Sequence, residues 1–164
     1  MPIADDLSDS MIEALLGRPK EMPQSERRKL RSEYWREISG HHRADIALEA
    51  DGDEKFSIFI RQTVDDIMDF TVGLKAVFND NSSLNLIRCN RVHGRYRNDL
   101  ENTVFEDEFH VHITTERYIK NSAQPEKFAA PTAEYGCLDG AIEFFLKRCN
   151  VRFREEGLFL NAPE

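Results

Sequence analysis

Apolar and polar residues alternate along several stretches between residues 43 and 114, and this pattern constrains the fold more than any other feature. Residues 43–50 and 70–78 alternate cleanly, whereas residues 56–60 are apolar on both faces, as in an interior strand. Further strands are predicted at 84–89 and 107–114. Because successive strands joined by short turns pair antiparallel, the pattern predicts an antiparallel sheet of about five strands.

Turn signals and polar segments separate these strands. Asp51-Gly52-Asp53 is a hairpin signal, and residues 79–83 are a cluster of turn-forming side chains. The acidic residues 65–69 and the polar residues 98–106 are interpreted as connections without regular structure.

Helical patterns lie at the two ends of the chain. Residues 8–17 form a predicted helix that a Ser or Asp caps and Gly17 ends, and residues 138–149 carry apolar side chains at helical spacing. Residues 25–38 fit either a helix or a strand, and their four-residue recurrence of apolar side chains favours a helix. The expected fold class is α+β, an antiparallel sheet flanked by N- and C-terminal helices.

The chain is expected to form a single domain over residues 1–164, a usual domain length. Within it, residues 1–40 are a helical N-terminal segment, 43–114 form the antiparallel sheet, and 115–164 form a C-terminal helix and tail. No apolar run reaches the about 18 residues that cross a bilayer, and the N-terminus lacks the pattern of a signal peptide. An odd number of cysteines without metal spacing favours a reducing, cytoplasmic location away from membranes.

Charge is distributed unevenly along the chain. The 22 basic and 30 acidic residues give a net charge of -8, which argues against a general DNA-coating protein. Residues 88–97, in contrast, contain no acid. Their basic side chains are Arg88, Arg91, Arg95 and Arg97, with His93 among them. A solvated loop is one interpretation of this segment, and its lack of acids makes anion binding another.

The motif that carries most chemical information is the predicted strand that ends at Thr114. Alternation places His110, His112 and Thr114 on the face opposite Phe109, Val111 and Ile113. Two imidazoles at this spacing on one strand face are compatible with binding one ion or one anion.

Three interpretations of the histidines are open. They satisfy hydrogen bonds on a polar sheet face, or they bind a metal with His93 or Glu108, or they bind an anion together with Arg88, Arg91 and His93. A single His-x-His is a weak metal signal, so no metal is expected. His112-Ile113-Thr114 also matches the His-x-Thr element of two-histidine phosphoesterases, which need two such elements where this chain has one.

Common catalytic motifs are absent from the sequence. It has no Gly-x-Ser-x-Gly nucleophile elbow, no Gly-x-Gly-x-x-Gly and no Walker A loop. The common nicotinamide and nucleoside triphosphate enzymes are therefore disfavoured, and no cofactor is expected.

The order of these elements resembles an uncharacterised family of small bacterial proteins, some of them associated with mobile elements. The resemblance rests on an Arg-x-Asn-x-x-His-Gly segment at residues 88–94 and on the His-x-His-x-x-Thr-Glu-Arg-Tyr sequence at residues 110–118. It spans roughly residues 16–149 and implies that the two segments belong to one unit, without implying an activity. Arg91 departs from the family pattern, in which a glycine often stands at that position.

These features favour a non-catalytic binding module for a phosphate-bearing ligand, a nucleic acid or a nucleotide. The expected ligand-binding residues are Arg88, Asn90, Arg91, His93, Arg95, Arg97, His110, His112 and Thr114. Tyr96 is expected to stack on a base. One alternative is an acidic protein-interaction module, such as an antitoxin or counter-defence protein, with a toxin or defence component as its partner. Another is a metal-dependent or His-x-Thr hydrolase. The oligomeric state stays open.

Overall fold

A computed structural model describes residues 1–91 and 95–155 of the chain. The α-helices of these residues are α1 (Asp9–Gly17), α2 (Gln24–Arg27), α3 (Glu116–Asn121) and α4 (Leu138–Arg148). Short 3-10 helices lie at Ile3–Asp5, Arg28–Leu30 and Ser32–Tyr34. Within the described residues, no helix combines the length and the apolar character that crossing a bilayer requires.

The strands of the described residues belong to one large sheet and two small ones. In chain order they are β1 (Lys20–Met22), β2 (Arg36–Ile38), β3 (His41–Ala47), β4 (Lys55–Thr63), β5 (Asp66–Val77), β6 (Ser83–Arg91), β7 (Arg95–Asn98), β8 (Thr103–Glu106), β9 (Phe109–Ile113), β10 (Ala129–Pro131) and β11 (Val151–Phe153). Seven of them form an antiparallel sheet in the order β10-β9-β6-β5-β4-β3-β2. β7 and β8 form a separate hairpin, and β1 pairs in parallel with β11.

One face of the large sheet carries the hydrophobic core. The inward positions of its strands alternate with outward ones, as the sequence pattern predicts, and the core side chains include Ile46, Ile58, Val72, Leu74, Ile87 and Val111. α1 adds Ile12, Leu15 and Leu16 to this core, and α4 packs against β5 with Ala141, Ile142 and Phe145. Both terminal helices and the α+β class are therefore confirmed.

The outer face of the same sheet is covered over β6 and β9 and open over β3 and β4. The β7–β8 hairpin lies over the covered part. Its buried Asn98 donates from Nδ2 to the carbonyl oxygen of Ala129 in β10, at 2.8 Å. The amide nitrogen of Ala129 in turn donates to Asn98 Oδ1, also at 2.8 Å. This covering element decides the environment of the histidine strand.

Several predictions about connections are wrong. Residues 98–106 were expected to be a loop, but they contain the end of β7 and all of β8, and β5 begins at Asp66 inside the expected acidic connection. Residues 25–38 form α2, two 3-10 turns and β2 instead of one helix. Backbone hydrogen bonds between strands hold these polar segments, so their side chains need not show an apolar period. The large sheet has seven strands instead of about five, because the short edge strands β2 and β10 extend the five that alternation predicts.

Candidate functional site

The pairing of β6 with β9 places part of the arginine-rich segment beside the histidine strand. Arg88 lies opposite His112, and Asn90 lies opposite His110. Residues directly opposite each other in an antiparallel ladder share a face. These four side chains therefore lie on the outer face of the sheet, away from the core residue Val111, and the predicted alternation of the strand is confirmed.

The two histidines form a buried pair that is joined through their Nε2 atoms, which lie 3.0 Å apart. The Nδ1 of His112 lies 3.0 Å from the carbonyl oxygen of Glu126, and the Nδ1 of His110 lies 3.2 Å from that of Glu108. His110 is 0% exposed and His112 is 4% exposed. All four ring nitrogens thus face partners inside the protein, and neither ring is accessible to a ligand.

Burial also decides the charge of this pair. Desolvation lowers the pKa of both imidazoles, and the nearby Arg88 guanidinium lowers them further. The pKa of His112 falls to about 3. The carbonyl of Glu126 can only accept, so a neutral His112 carries its proton on Nδ1, and its Nε2 accepts a hydrogen bond from His110 Nε2. A neutral His110 then has no proton on Nδ1, so its 3.2 Å contact with the carbonyl oxygen of Glu108 is not a hydrogen bond in this form. The pair is therefore neutral at pH 7 and adds no positive charge for an anion.

Thr114 lies immediately beyond β9 and is also buried, at 1% exposure. Its hydroxyl donates to the carbonyl oxygen of Asn85 at 2.6 Å, and its amide nitrogen donates to that of Leu86 at 3.0 Å. The hydroxyl proton of Thr114 is therefore used within the fold.

Aromatic rings of the β7–β8 hairpin cover the histidines. The Tyr96 ring contacts the rings of Phe105, His110 and His112, with centroids 5.2 to 5.4 Å apart. Its hydroxyl donates to the carbonyl oxygen of Lys127, and burial raises its pKa to about 12. Tyr96 thus packs against its own chain instead of presenting its ring to a base.

Arg88 lies at the edge of this cover, in a groove of about 800 Å³. The groove is lined by Asp5, Ser83, Leu84, Arg88, Tyr96, His112 and residues 123–127. Arg88 Nε is buried without a hydrogen-bond partner among the described residues, and the carboxylate oxygen Glu126 Oε1 lies 3.4 Å from it. Asn90 Oδ1 is likewise buried without a partner in the described part of the chain.

The other predicted arginines do not join this groove. Arg91 lies opposite Phe109, and its guanidinium carbon is 5.6 Å from the centre of that ring, on the other face of the sheet from Arg88. Arg95 and Arg97 are exposed on the side of β7 that faces away from the histidines. His93 lies outside the described residues.

No metal centre is formed by the part of the chain that the structure describes, where no three His, Cys, Asp or Glu side chains are placed to hold an ion. Cys89 and Cys149 are buried, and burial raises the pKa of each thiol to about 12. Cys137 is exposed at the start of α4, where its Sγ accepts from the amide nitrogen of Gly140 at 3.4 Å.

The segment between α3 and β10 contributes groove residues that the sequence reasoning did not single out. Gln124 and Lys127 line the groove, and Glu126 contacts the site twice, through its carbonyl oxygen to His112 and through its carboxylate to Arg88. No motif or period marks this segment, because its role depends on where the chain passes in space.

Comparisons of the chain with protein-family models, with curated proteins and with solved structures found no match. The resemblance of residues 88–94 and 110–118 to a bacterial family therefore stays a prediction.

Proposed function

We propose that this protein is a non-catalytic binding module whose groove beside Arg88 binds the phosphate group of a nucleotide or of a nucleic-acid end. The observation that carries the proposal is Arg88 Nε, a buried donor that has no hydrogen-bond partner in the described residues. The Glu126 carboxylate at 3.4 Å forms an ion pair with this group without a hydrogen bond, and a phosphate oxygen at hydrogen-bond distance would satisfy the donor. The guanidinium fork also matches two phosphate oxygens at once.

Glu126 occupies the position that such a phosphate would take. Its Oε1 lies 3.4 Å from both Arg88 Nε and Asn85 Nδ2, which is long for a charge-assisted hydrogen bond. A phosphate therefore competes with a weakly held carboxylate. Asp5 and Glu126 offset Arg88 and Lys127 along the walls, so the groove suits one phosphate group better than an extended polyanion.

The buried histidines support binding over catalysis. A His-x-Thr hydrolase needs a free ring nitrogen to attack phosphorus, and both nitrogens of His112 face partners inside the fold. The Thr114 hydroxyl donates a hydrogen bond to the carbonyl oxygen of Asn85. Hydrolysis would require the β7–β8 hairpin to move away from His112, so that a substrate could reach the ring.

Calorimetric titration with adenosine 5′-monophosphate at low ionic strength tests the proposal. Arg88→Gln is expected to weaken binding by about tenfold or more, because a hydrogen bond to a charged group contributes about 1.5–3 kcal/mol. Glu126→Gln is expected to tighten binding by about three- to tenfold, because it removes the competing charge and keeps the side-chain size.

Arg152→Gln is the matched control, since it removes the same charge from the exposed strand β11. An equal loss in Arg88→Gln and Arg152→Gln, or equal affinity for adenosine without phosphate, would contradict the proposal. If wild type binds no nucleotide even at low ionic strength, the second candidate gains support. That candidate is the acidic protein-interaction module, which the net charge of -8 favours.

A further inference from the structure

A row of arginines crosses the open outer face of the sheet. Arg36 of β2 lies opposite Arg43 of β3, and Arg43 lies opposite Arg61 of β4. Directly paired residues share a face, so the three side chains project to the same side from neighbouring strands that lie about 4.8 Å apart. All three are exposed.

This row is costly for the sheet by itself. Like charges placed directly opposite on paired strands destabilise a sheet. Arg36 has one exposed contact, from Nη2 to Asp45 Oδ2 at 3.6 Å, whereas Arg43 and Arg61 have no hydrogen bond or ion pair with any residue that the structure describes. Exposed Lys55 and Lys75 add positive charge on the same face of β4 and β5, and Asp45 of β3, opposite Phe59, adds one negative charge. An anionic partner would offset this repulsion.

An aromatic ring lies beside the arginines. Phe59 shares the outer face of β4 with Arg61 and lies opposite Gly73 of β5. Its ring extends over that glycine, since a Cβ built on Gly73 would lie 2.1 Å from Phe59 Cζ. The absence of a side chain at Gly73 therefore lets a half-buried ring lie over the neighbouring strand. A ring in this position can stack on a base.

We propose that the outer face of β2, β3, β4 and β5 binds single-stranded nucleic acid, with phosphates on Arg36, Arg43 and Arg61 and a base on Phe59. A single strand fits better than a duplex, because its bases are free to stack on an aromatic ring. An acidic protein surface would pair with the arginines but would leave the Phe59 ring without a partner. The face adjoins the Arg88 groove, yet it binds phosphates whether or not the groove holds one.

Fluorescence anisotropy with a labelled short oligouridylate tests this face. Three phosphate contacts to a single strand predict a log–log slope against salt of about -2. Arg43→Gln with Arg61→Gln is expected to weaken binding by about tenfold or more and to reduce the slope to about -1. Phe59→Leu is expected to weaken binding about fivefold or more without changing the slope, since it removes stacking and keeps an apolar side chain.

Arg117→Gln with Arg152→Gln is the matched control, because it removes two exposed positive charges from other parts of the surface. This control is expected to keep most of the affinity, and thermal unfolding verifies that each variant is folded. The proposal is overturned if wild type does not bind, if the control loses as much affinity as the double variant, or if a duplex of equal length binds as tightly. The titration with adenosine 5′-monophosphate measures binding at the Arg88 groove, which is a different site, so either proposal can fail without the other.

Discussion

His112 is the residue whose chemistry depends most on its surroundings. It was expected to face a ligand, but the fold places both of its ring nitrogens against internal partners, Glu126 and His110. Burial and the Arg88 guanidinium lower its pKa from the ordinary value of 6.5 to about 3. The residue therefore stabilises the fold in its neutral form.

This depressed pKa predicts that the free energy of unfolding decreases as the pH is lowered below about 6.5. The unfolded chain binds a proton on His112 in this range and the folded protein does not, so the stabilisation is complete above pH 6.5 and is lost progressively towards pH 3. One such group changes stability by about 1.4 kcal/mol per pH unit. Urea unfolding of wild type and His112→Gln between pH 7 and 5 is the measurement, and the variant is expected to show a weaker pH dependence.

His41→Gln is the control for that series. His41 is half-buried on β3 and does not belong to the buried histidine pair, so its loss should leave the contribution of that pair to the pH dependence unchanged. A wild-type stability that is flat between pH 7 and 5 would show that the histidine pair is protonated in the folded protein.

At the scale of elements, the β7–β8 hairpin decides which part of the sheet a ligand can reach. It covers the histidine end of the outer face through Tyr96 and Phe105, and it leaves the arginine row uncovered. Asn98 holds the hairpin to β10 with two hydrogen bonds to the backbone of Ala129. The Asn98 side chain thus pairs with both backbone groups of Ala129, as a residue of a neighbouring strand would.

Asn98→Ala is therefore expected to lower the free energy of unfolding by about 2 kcal/mol or more, because it leaves two buried backbone groups of Ala129 unpaired. Chemical denaturation measures this change, and amide hydrogen exchange in β9 should become faster. Asn121→Ala removes an exposed amide that donates to the carbonyl oxygen of Arg117, and it should have a much smaller effect. Equal losses in the two variants would mean that Asn98 does not hold the hairpin.

At the scale of the whole molecule, Lys20 joins the first long helix, α1, to the last, α4. It is 0% exposed, and its Nζ donates to the carbonyl oxygens of Leu15, Leu16 and Cys149 at 2.8 to 3.0 Å. These carbonyls lie at the C-terminal ends of α1 and α4, where helices lack internal donors and favour positive charge. Burial lowers the pKa of Lys20 to about 8, so the group stays protonated at pH 7.

Lys20→Met is expected to lower the free energy of unfolding by about 3 kcal/mol or more, because several helix-end carbonyls lose their donor at once. Lys147→Met on the exposed side of α4 is the control and should change stability by less than about 0.5 kcal/mol. Urea unfolding measures both variants. Wild-type stability in Lys20→Met would show that water satisfies these carbonyls.

Local patterns were sufficient to predict much of the architecture. Alternation identified the core strands and showed that His110, His112 and Thr114 share a face, and the capping signals located α1, where Ser8 accepts from the amide nitrogen of Met11. These features depend on residues that are close in sequence, so they can be read without knowledge of the fold. The strands β7 and β8 were not predicted from the sequence. They are short and mostly polar, and they are held by backbone pairing with each other.

The sequence by itself determined which side chains share a face of each strand, and the tertiary structure alone decided what lies over that face. The two-residue alternation of side chains along β9 places the histidines on the face opposite Val111. It cannot show that Tyr96 and Phe105 of the β7–β8 hairpin will bury them. It likewise cannot show that Arg36, Arg43 and Arg61 line up, since their alignment depends on the register of three strands. The register of the strands and the burial of a sheet face by another element depend on contacts between residues far apart in the chain. The spacing of side chains within one element does not specify these contacts.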